Sequence, residues 1–191
     1  MRCLMCENLS FSHICKRCQN TFLTPSIHRR KILGNIEAIS FYKYGDIKEL
    51  LHTKHTDIGY YVYSILAKNS IAKFASEFEY AHKVASIGVD DYTKSGYSHT
   101  AILNRALKSR YIKPIFGKLR AKNRVSYSGK SKQFRLLNPR DFELKKVNEK
   151  SVILVDDIIT TNLTLTQAVT ALQKENIEVL FCLTLADASL N

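Results

Sequence analysis

The chain has no tryptophan and few residues that interrupt regular structure, with 3 prolines and 7 glycines among 191 residues. Collagen-like and low-complexity chains need far more of both, so these classes are excluded. Hydrophobic residues make up 45% of the chain. That content is enough to bury a core, so an intrinsically disordered chain is excluded as well. At this length we expect one main domain with a small appendage.

Long apolar runs are also absent. No stretch approaches the roughly 18 apolar residues of a membrane-spanning helix. The N-terminal segment MRCLMCENLS has no apolar core of the signal-peptide kind. From both absences we expect a cytoplasmic protein without a transmembrane segment.

Acidic residues are scarce relative to basic ones. The chain has 17 acidic and 29 basic residues, which gives a net charge of +12. Residues 118–146 contain ten basic and two acidic residues, and this basic stripe alone supplies +8. Such a concentration of charge attracts polyanions such as nucleic acid, anionic lipid or phosphorylated small molecules.

Cysteine is rare beyond the N-terminus. Two C-x-x-C pairs lie within the first 18 residues, and a cytosolic chain does not normally hold structural disulfides. The pattern predicts a tetrahedral Zn²⁺ site with four thiolate ligands, Cys3, Cys6, Cys15 and Cys18. A full set of sulfur ligands leaves no position for substrate, so the metal is predicted to be structural. Cys182, in the apolar segment VLFCLTL, is predicted to be an inert core residue.

The expected domain organisation follows from this metal site. Residues 1–24 are predicted to form a zinc ribbon that depends on the metal for its folding energy. Residues 25–36 are predicted to be a connector, with Pro25 and Gly34 as breaks in regular structure. Residues 37–191 are predicted to form the main domain.

Strand-like and helix-like segments alternate in that main domain, and the strands are almost continuously apolar. This pattern predicts an α/β fold with an open, mostly parallel sheet covered on both faces. Residues 118–140 are polar and predicted to be a loop. The predicted strands are 37–45, 83–89, 111–117, 151–157 and 177–187, and the predicted helices are 46–78, 98–109 and 164–176.

The segment VILVDDIITTNLTLTQA, residues 152–168, has the highest concentration of side chains suited to ligand binding. An apolar strand ends in Asp156 and Asp157, and small polar residues follow before a helical pattern begins. In open α/β sheets, ligands bind at the carboxyl ends of strands, and a helix N-terminus favours phosphate. Carboxylates accept hydrogen bonds from sugar hydroxyls or hold a divalent metal. The segment therefore indicates a sugar phosphate site.

These residues resemble the phosphoribosyl pyrophosphate (PRPP) signature of type I phosphoribosyltransferases. The resemblance implies that Asp156 and Asp157 hold the ribose hydroxyls and that Mg²⁺ accompanies PRPP. Asn162 replaces the usual glycine of the phosphate loop, and asparagine tolerates the left-handed backbone region. The implied 5′-phosphate loop is Ile159, Thr160, Thr161, Asn162, Leu163 and Thr164.

A second resemblance covers the whole chain. ComF-type competence proteins join a C-x-x-C…C-x-x-C element to a phosphoribosyltransferase-like domain, and this chain is similar to them. Their R-G-F-N-Q-like turn is matched in part by KSGYSHTAIL, residues 94–103, where Gly96 and an aromatic residue remain. Their R…Q…R…N…F series is matched by Arg124, Gln133, Arg135 or Arg140, Asn138 and Phe142. The implied pyrophosphate turn is Lys94, Ser95, Gly96 and Tyr97.

The ComF resemblance implies a cytoplasmic competence factor that takes up or hands on transforming single-stranded DNA. The implied partners are PRPP, single-stranded DNA and other competence proteins, such as a helicase or translocation channel at the inner face of the membrane. The stripe interleaves aromatic and basic residues, as single-strand binding requires. The residues expected to contact DNA are Arg124, Tyr127, Lys130, Lys132, Phe134 and Arg135.

Two other functions remain open. One is an active phosphoribosyltransferase on an unidentified acceptor, and the other is a regulatory module that senses PRPP. The sequence shows no base pocket, and no catalytic residue is assigned. The stripe is equally compatible with a loop that folds over a phosphorylated ligand.

Overall fold

The computed structural model describes residues 1–90, 96–123 and 131–190, and for Lys132 it describes the backbone alone. The strands follow the apolar β-branched segments of the sequence. They are β1 His28–Leu33, β2 Ile36–Lys43, β3 Val84–Gly88, β4 Ile112–Ile115, β5 Leu119–Ala121, β6 Phe142–Leu144, β7 Ser151–Ile159 and β8 Glu178–Asp187.

A six-stranded sheet forms the centre of the molecule, in the order β1-β2-β8-β7-β3-β4. Strand β1 is antiparallel to β2, and the other neighbouring pairs are parallel. Strands β5 and β6 form a separate antiparallel pair. Strand β7 lies in the middle of the sheet and is buried from Val152 to Asp157. The predicted α/β class with a mostly parallel sheet is confirmed.

Helices cover both faces of this sheet. On one face, residues of α2, α3, α4 and α5 share a core with Ile153 and Val155 of β7. On the other face, α7 packs on Val152 and Leu154. The helices are α1 Lys16–Phe22, α2 Tyr44–Leu51, α3 Asp57–Asn69, α4 Ile71–Glu77, α5 His99–Ala106, α6 Lys132–Leu137 and α7 Leu163–Lys174, with a 3₁₀ turn at His52–His55. Among the described residues, no helix is long and apolar enough to cross a membrane.

Two segments predicted to lack regular structure contain strands. The connector of residues 25–36 contains β1, which forms a hairpin with β2 through a turn at Gly34, whose φ is +57°. Positive φ favours glycine, so the residue interpreted as a linker break is a hairpin residue. The predicted loop of residues 118–140 contains β5 and α6. Strand β1 is stabilised by pairing with the neighbouring strand β2, and β5 is stabilised by pairing with the more distant β6. The local composition of each segment does not reveal these partners.

The cysteine-rich N-terminal segment packs directly on the main core. Ile14 and Leu23 are fully buried and belong to the same cluster as the α2–α5 side of the sheet. Asn69 Nδ2 donates to Gln19 Oε1 at 3.2 Å, and the His13 ring stacks on Tyr61 with centroids 4.4 Å apart. Both Asn69 and Tyr61 lie on α3, so the N-terminal segment braces that helix.

Candidate functional site

The four N-terminal cysteines come together as a candidate metal centre. Their sulfur atoms all lie within 4.8 Å of one another, and none is in a disulfide. The Sγ atoms of Cys6 and Cys15 are 3.8 Å apart. Tetrahedral Zn²⁺ with Zn–S bonds of about 2.3 Å places its sulfurs about 3.8 Å apart. The donor set therefore fits a structural zinc ion.

Backbone amides and burial set the charge state of this cluster. Cys3 Sγ accepts hydrogen bonds from Cys15 N at 3.3 Å and Met5 N at 3.5 Å. Burial alone would raise the pKa of the Cys3 thiol. These donors outweigh burial and lower the pKa to about 6. Burial and the neighbouring sulfurs raise the pKa of Cys18 to about 12. Adjacent thiolates repel one another, and a divalent cation removes that repulsion.

Cys182 lies apart from this centre, in the core under α7, with no solvent exposure. Burial raises the pKa of its thiol well above the ordinary value. This environment agrees with the prediction of an inert core cysteine.

The predicted phosphate loop joins β7 to α7. Asn162 is the residue that precedes α7, and its φ of 65° and ψ of −17° place it in the left-handed region. The asparagine thus adopts the conformation that glycine usually supplies in such a loop. The Asn162 side chain makes no capping hydrogen bond to the helix. The first N–H groups of α7 are therefore not satisfied by that side chain.

Arg30, on edge strand β1, holds this loop in place. Its Nη2 atom donates to Thr160 O at 2.7 Å and also to Asn162 Oδ1. Its Nη1 atom donates to Asp187 Oδ1 at 2.9 Å and to Ser189 Oγ at 2.9 Å. Asp187 is 3% exposed and ends β8 beside Ile159 of β7. The guanidinium diverts the Asn162 oxygen away from the helix N-terminus and ties the loop to the sheet.

Asp157 is the centre of a buried polar cluster at the end of β7. Its Oδ2 atom lies 3.0 Å from Lys54 Nζ, 3.3 Å from Tyr63 Oη and 3.6 Å from His99 Nε2. All three contacts are to the same oxygen. Among the described residues, none donates a hydrogen bond to Asp157 Oδ1. One oxygen of this carboxylate is therefore left to accept from a ligand.

The electrostatics of the cluster follow from burial and from the Lys54 charge. Burial opposes ionisation of Asp157, but Lys54 and His99 outweigh it and hold the pKa of this carboxyl far below its usual range. Asp157 in turn raises the pKa of Lys54. Burial lowers the pKa of His99 despite the nearby carboxylate. Burial and the Asp157 charge raise the pKa of Tyr63, which remains a hydrogen-bond donor.

Asp156 leaves β7 on the opposite face. Ile153 and Val155 face α3 and α5 together with Asp157, whereas Val152 and Leu154 face α7 together with Asp156. Asp156 Oδ1 accepts a hydrogen bond from Asp157 N at 2.8 Å. Burial and the Asp157 charge raise the pKa of Asp156 well above its ordinary value. The surroundings therefore favour the protonated form of Asp156 and the ionised form of Asp157.

Two arginines of the basic stripe are directed towards this site. Arg135 Nη1 donates to Thr160 Oγ1 at 2.5 Å. Arg140 Nη1 lies 2.5 Å from Asp90 Oδ2, and Asp90 Oδ1 accepts from Ala121 N at 3.0 Å. The stripe thus contacts both the phosphate loop and the segment that follows β3. This arrangement is compatible with a segment that folds over a phosphorylated ligand.

Gly96 and Tyr97 are the described part of the predicted pyrophosphate turn, and Tyr97 stabilises the segment around Lys54. Gly96 has φ of +82°. The Tyr97 hydroxyl donates to Lys54 O at 2.7 Å and contacts Thr56 O at 3.1 Å. A Cβ at Gly59 would lie 2.1 Å from this hydroxyl and 2.1 Å from Thr53 O, so only glycine fits there. Tyr97 therefore fixes the turn that carries Lys54 to Asp157.

The structure brings together Asp156, Asp157 and residues 159–164, with Tyr97 close by. Arg135 reaches the same loop, whereas Phe134 is half-buried on α6. Lys94, Ser95, Arg124, Tyr127 and Lys130 lie outside the described residues, as does the side chain of Lys132.

Four contributors to the site, Arg30, Lys54, Tyr63 and His99, were not identified from the sequence. Arg30 and Lys54 lie 130 and 103 residues from their partners Thr160 and Asp157. Tyr63 and His99 contact the same carboxylate from α3 and α5. No spacing in the sequence connects these residues to the β7–α7 loop, because only the fold brings them to it.

No model of a protein family matches the sequence, and no curated protein matches it. One solved structure to which it is similar is an adenine phosphoribosyltransferase, with a TM-score of 0.41 and 16% identity. The similarity covers 88% of this chain and 89% of that chain. A likeness this distant carries no assignment of activity.

Proposed function

We propose that the segment from Asp156 to Thr164 binds the ribose 5-phosphate part of PRPP. The observation that carries this proposal is the state of the α7 N-terminus. Asn162 is left-handed there and does not cap the helix, because Arg30 holds its side-chain oxygen. The first-turn N–H groups and the Thr161 and Thr164 hydroxyls would then donate to a phosphate.

The ribose would lie above the end of β7. Asp157 has one oxygen without a described donor, and the same holds for Asp156 Oδ2 among the described residues. The ionised Asp157 carboxylate would make a strong hydrogen bond with a hydroxyl, and the Asp156 carboxyl, whose pKa is raised by burial, would make an ordinary one. The 2′- and 3′-hydroxyls of ribose would therefore bind these two oxygens, one from each side of the strand end.

Mg²⁺ would arrive with the pyrophosphate group of PRPP. Two of the described acidic groups near the site are already paired, Asp157 with Lys54 and Asp90 with Arg140. These pairs do not fit a magnesium site made of protein ligands alone, so the ion would be held mainly by phosphate oxygens and water. The turn formed by Lys94, Ser95, Gly96 and Tyr97 would contact the same group.

We infer further that the chain is a ComF-type competence factor. Support comes from the combination of a four-cysteine cluster and the PRPP-type segment in one chain. The domains would be the ribbon of residues 1–24, the connector of 25–36 and the phosphoribosyltransferase-like domain of 37–191. The zinc ribbon would brace α3, and α3 carries Tyr63 to Asp157. The protein would work in the cytoplasm, at the inner face of the membrane where partners recruit it.

Single-stranded DNA would be the macromolecular ligand, with a helicase or translocation channel as protein partner. The observation that favours DNA is the +8 charge of residues 118–146. Of these residues, Arg120, Lys122, Lys145 and Lys146 are exposed. Exposed cations next to aromatic residues support sequence-independent binding of a single strand.

A second candidate function is PRPP turnover or PRPP sensing, with the stripe acting as a lid. The observation that favours it is the contact of Arg135 with Thr160. In this case the arginine would bind the 5′-phosphate from above, and the acceptor would be a base or another nucleophile.

One assay separates these functions. The protein is incubated with PRPP, Mg²⁺ and a panel of bases, and pyrophosphate release is followed. Release with one acceptor identifies an active transferase. Saturable PRPP binding without release supports the binding or sensing functions, and absence of PRPP binding refutes the proposed site.

A further inference from the structure

A groove runs between α3 and α5, away from the carboxylates of the proposed PRPP site. Its volume is about 890 Å³, and neither Asp156 nor Asp157 lines it, although Tyr97 of the predicted pyrophosphate turn does. Most of its floor is made of small apolar side chains that are buried or half-buried. The floor residues are Ala67, Ala72, Ala101, Ile102, Ala106 and Ile112.

The rim of this groove is strongly basic. Five exposed cations line it, and no acidic residue does. Lys113 Nζ lies 3.5 Å from Glu149 Oε1, whereas the other four form no ion pair with any described residue. The rim cations are Lys68, Lys83, Arg105, Lys108 and Lys113.

We propose that this groove binds an acidic amphipathic helix of a partner protein. The alanines of α3, α4 and α5 permit close approach of a third helix, because helices pack ridges into grooves at axial distances of 8–10 Å. The apolar face of the incoming helix would cover the floor, and its acidic flanks would meet the rim. Tyr60 and Phe116, which are 47% and 48% exposed, would contact its two ends.

The dimensions and the edge of the sheet favour a helix over other occupants. Two turns of an α-helix, taken as a cylinder about 10 Å across, fill roughly 850 Å³. Strand β4 borders the groove and is the edge of the sheet, but Pro114 lies within it. Proline at an edge disfavours the addition of another strand. The rings that line the groove are Tyr60, Tyr97 and Phe116, and the alanine-rich floor itself has none on which successive bases could stack, so nucleic acid is the weaker alternative.

A designed peptide tests this proposal on the full-length, zinc-loaded protein. The probe is a fluorescent peptide of about 20 residues, long enough to form a helix, with leucines on one face and glutamates elsewhere. Controls are a shuffled peptide of the same composition and a single-stranded oligonucleotide of about 20 nucleotides. We expect saturable binding of the amphipathic peptide that weakens with salt, and binding of the shuffled peptide about tenfold weaker or less.

Substitutions in the groove test whether the peptide binds there. The triple variant Lys68→Glu, Arg105→Glu, Lys108→Glu should lose at least tenfold in peptide affinity, because rim charges reverse. The matched control is Lys31→Glu, Lys48→Glu, Lys150→Glu, which changes the same charge at exposed positions outside the groove. Ala101→Phe should block the floor without changing charge. Zinc content and a circular dichroism spectrum equal to those of the wild type show that each variant is folded.

Three results would overturn the proposal. The first is absence of peptide binding to the wild type, and the second is equal binding of the shuffled peptide. The third is loss of oligonucleotide binding in the groove variants while peptide binding is unchanged, which assigns the groove to nucleic acid. PRPP affinity measured on the triple rim variant should not change, so failure here is distinguishable from failure of the proposed PRPP site.

Discussion

The guanidinium of Arg30 donates to the main-chain oxygen of Thr160 at 2.7 Å, across 130 residues of sequence. This contact fixes the loop that we propose holds a phosphate. Arg30→Ala should lower the affinity for ribose 5-phosphate and for PRPP about tenfold or more, because the loop loses a charged hydrogen-bond donor. Arg30→Lys should not restore it, since one ammonium group does not replace two guanidinium nitrogens. Calorimetry with both ligands measures the effect.

Arg29→Ala is the matched control for Arg30. Arg29 lies on the same strand, its side chain is 57% exposed, and it pairs with Glu37 at 3.3 Å. Removal of Arg29 should leave both affinities unchanged. A positioning role also predicts that Arg30→Ala spares the affinity for free pyrophosphate. Equal losses in both variants would show that net charge, and not loop geometry, controls binding.

The cysteine cluster should hold one zinc ion per chain. Cys6→Ser with Cys15→Ser removes two of the four thiolates and should abolish stoichiometric metal binding. The N-terminal segment should loosen as well, because metal binding supplies its folding energy. Metal analysis and limited proteolysis check both effects, and Cys182→Ser is the control. Full zinc occupancy in the double variant would contradict the assignment.

Asp156 should limit stability at neutral and alkaline pH. Its pKa is raised by burial and by Asp157, so the folded state binds a proton that the unfolded state releases above the ordinary pKa. The contribution of Asp156 to stability therefore falls as pH rises above the ordinary value towards the raised one. Asp156→Asn mimics the protonated acid and should raise the unfolding temperature more at pH 8 than at pH 5. An equal shift at both pH values would show that the carboxyl does not titrate as described.

The basic stripe distinguishes DNA handling from a lid. Joint replacement of Lys130, Lys132 and Arg135 by alanine should flatten the salt dependence of single-stranded DNA binding by up to about two units, at about 0.7 per phosphate. Tyr127→Ala and Phe134→Ala should each cost about 1–3 kcal/mol if their rings stack on bases. The charge-matched control removes Lys31, Lys48 and Lys150, which are exposed elsewhere. Loss of PRPP affinity in the stripe variant, with negligible DNA binding at physiological salt, would favour the lid.

Much of the fold was predictable from periodicity. Strand β7 is almost continuously apolar and buried, and the helix after Asn162 has a clear apolar face, so both were predicted within two residues. Strand β1 was not predicted, because HRRKIL has no strict alternation and pairs only through the β2 hairpin. Strand β5 and helix α6 were also missed, since each is short and has basic residues among its apolar ones, and β5 pairs with the distant strand β6.

The candidate site likewise has a part that was predictable from the sequence and a part that was not. Asp156, Asp157 and the residues up to Thr164 form a local motif, so the sequence alone pointed to them. Lys54 and Arg30 reach the motif only through tertiary packing, and no spacing rule connects them to it. The opposite pKa shifts of Asp156 and Asp157 depend on which face of β7 each side chain occupies. Both residues are aspartates, so the sequence gives no sign that their pKa values shift in opposite directions.

Binding of PRPP at the end of β7 is the central claim, and calorimetry in Mg²⁺ tests it most directly. The wild type should bind PRPP saturably at one site per chain. The double variant Asp156→Ala, Asp157→Ala should bind at least tenfold more weakly, because the charge-assisted hydrogen bond of Asp157 alone is worth about 1.5–3 kcal/mol. Absence of binding by the wild type, or unchanged affinity in a folded double variant, would contradict the claim.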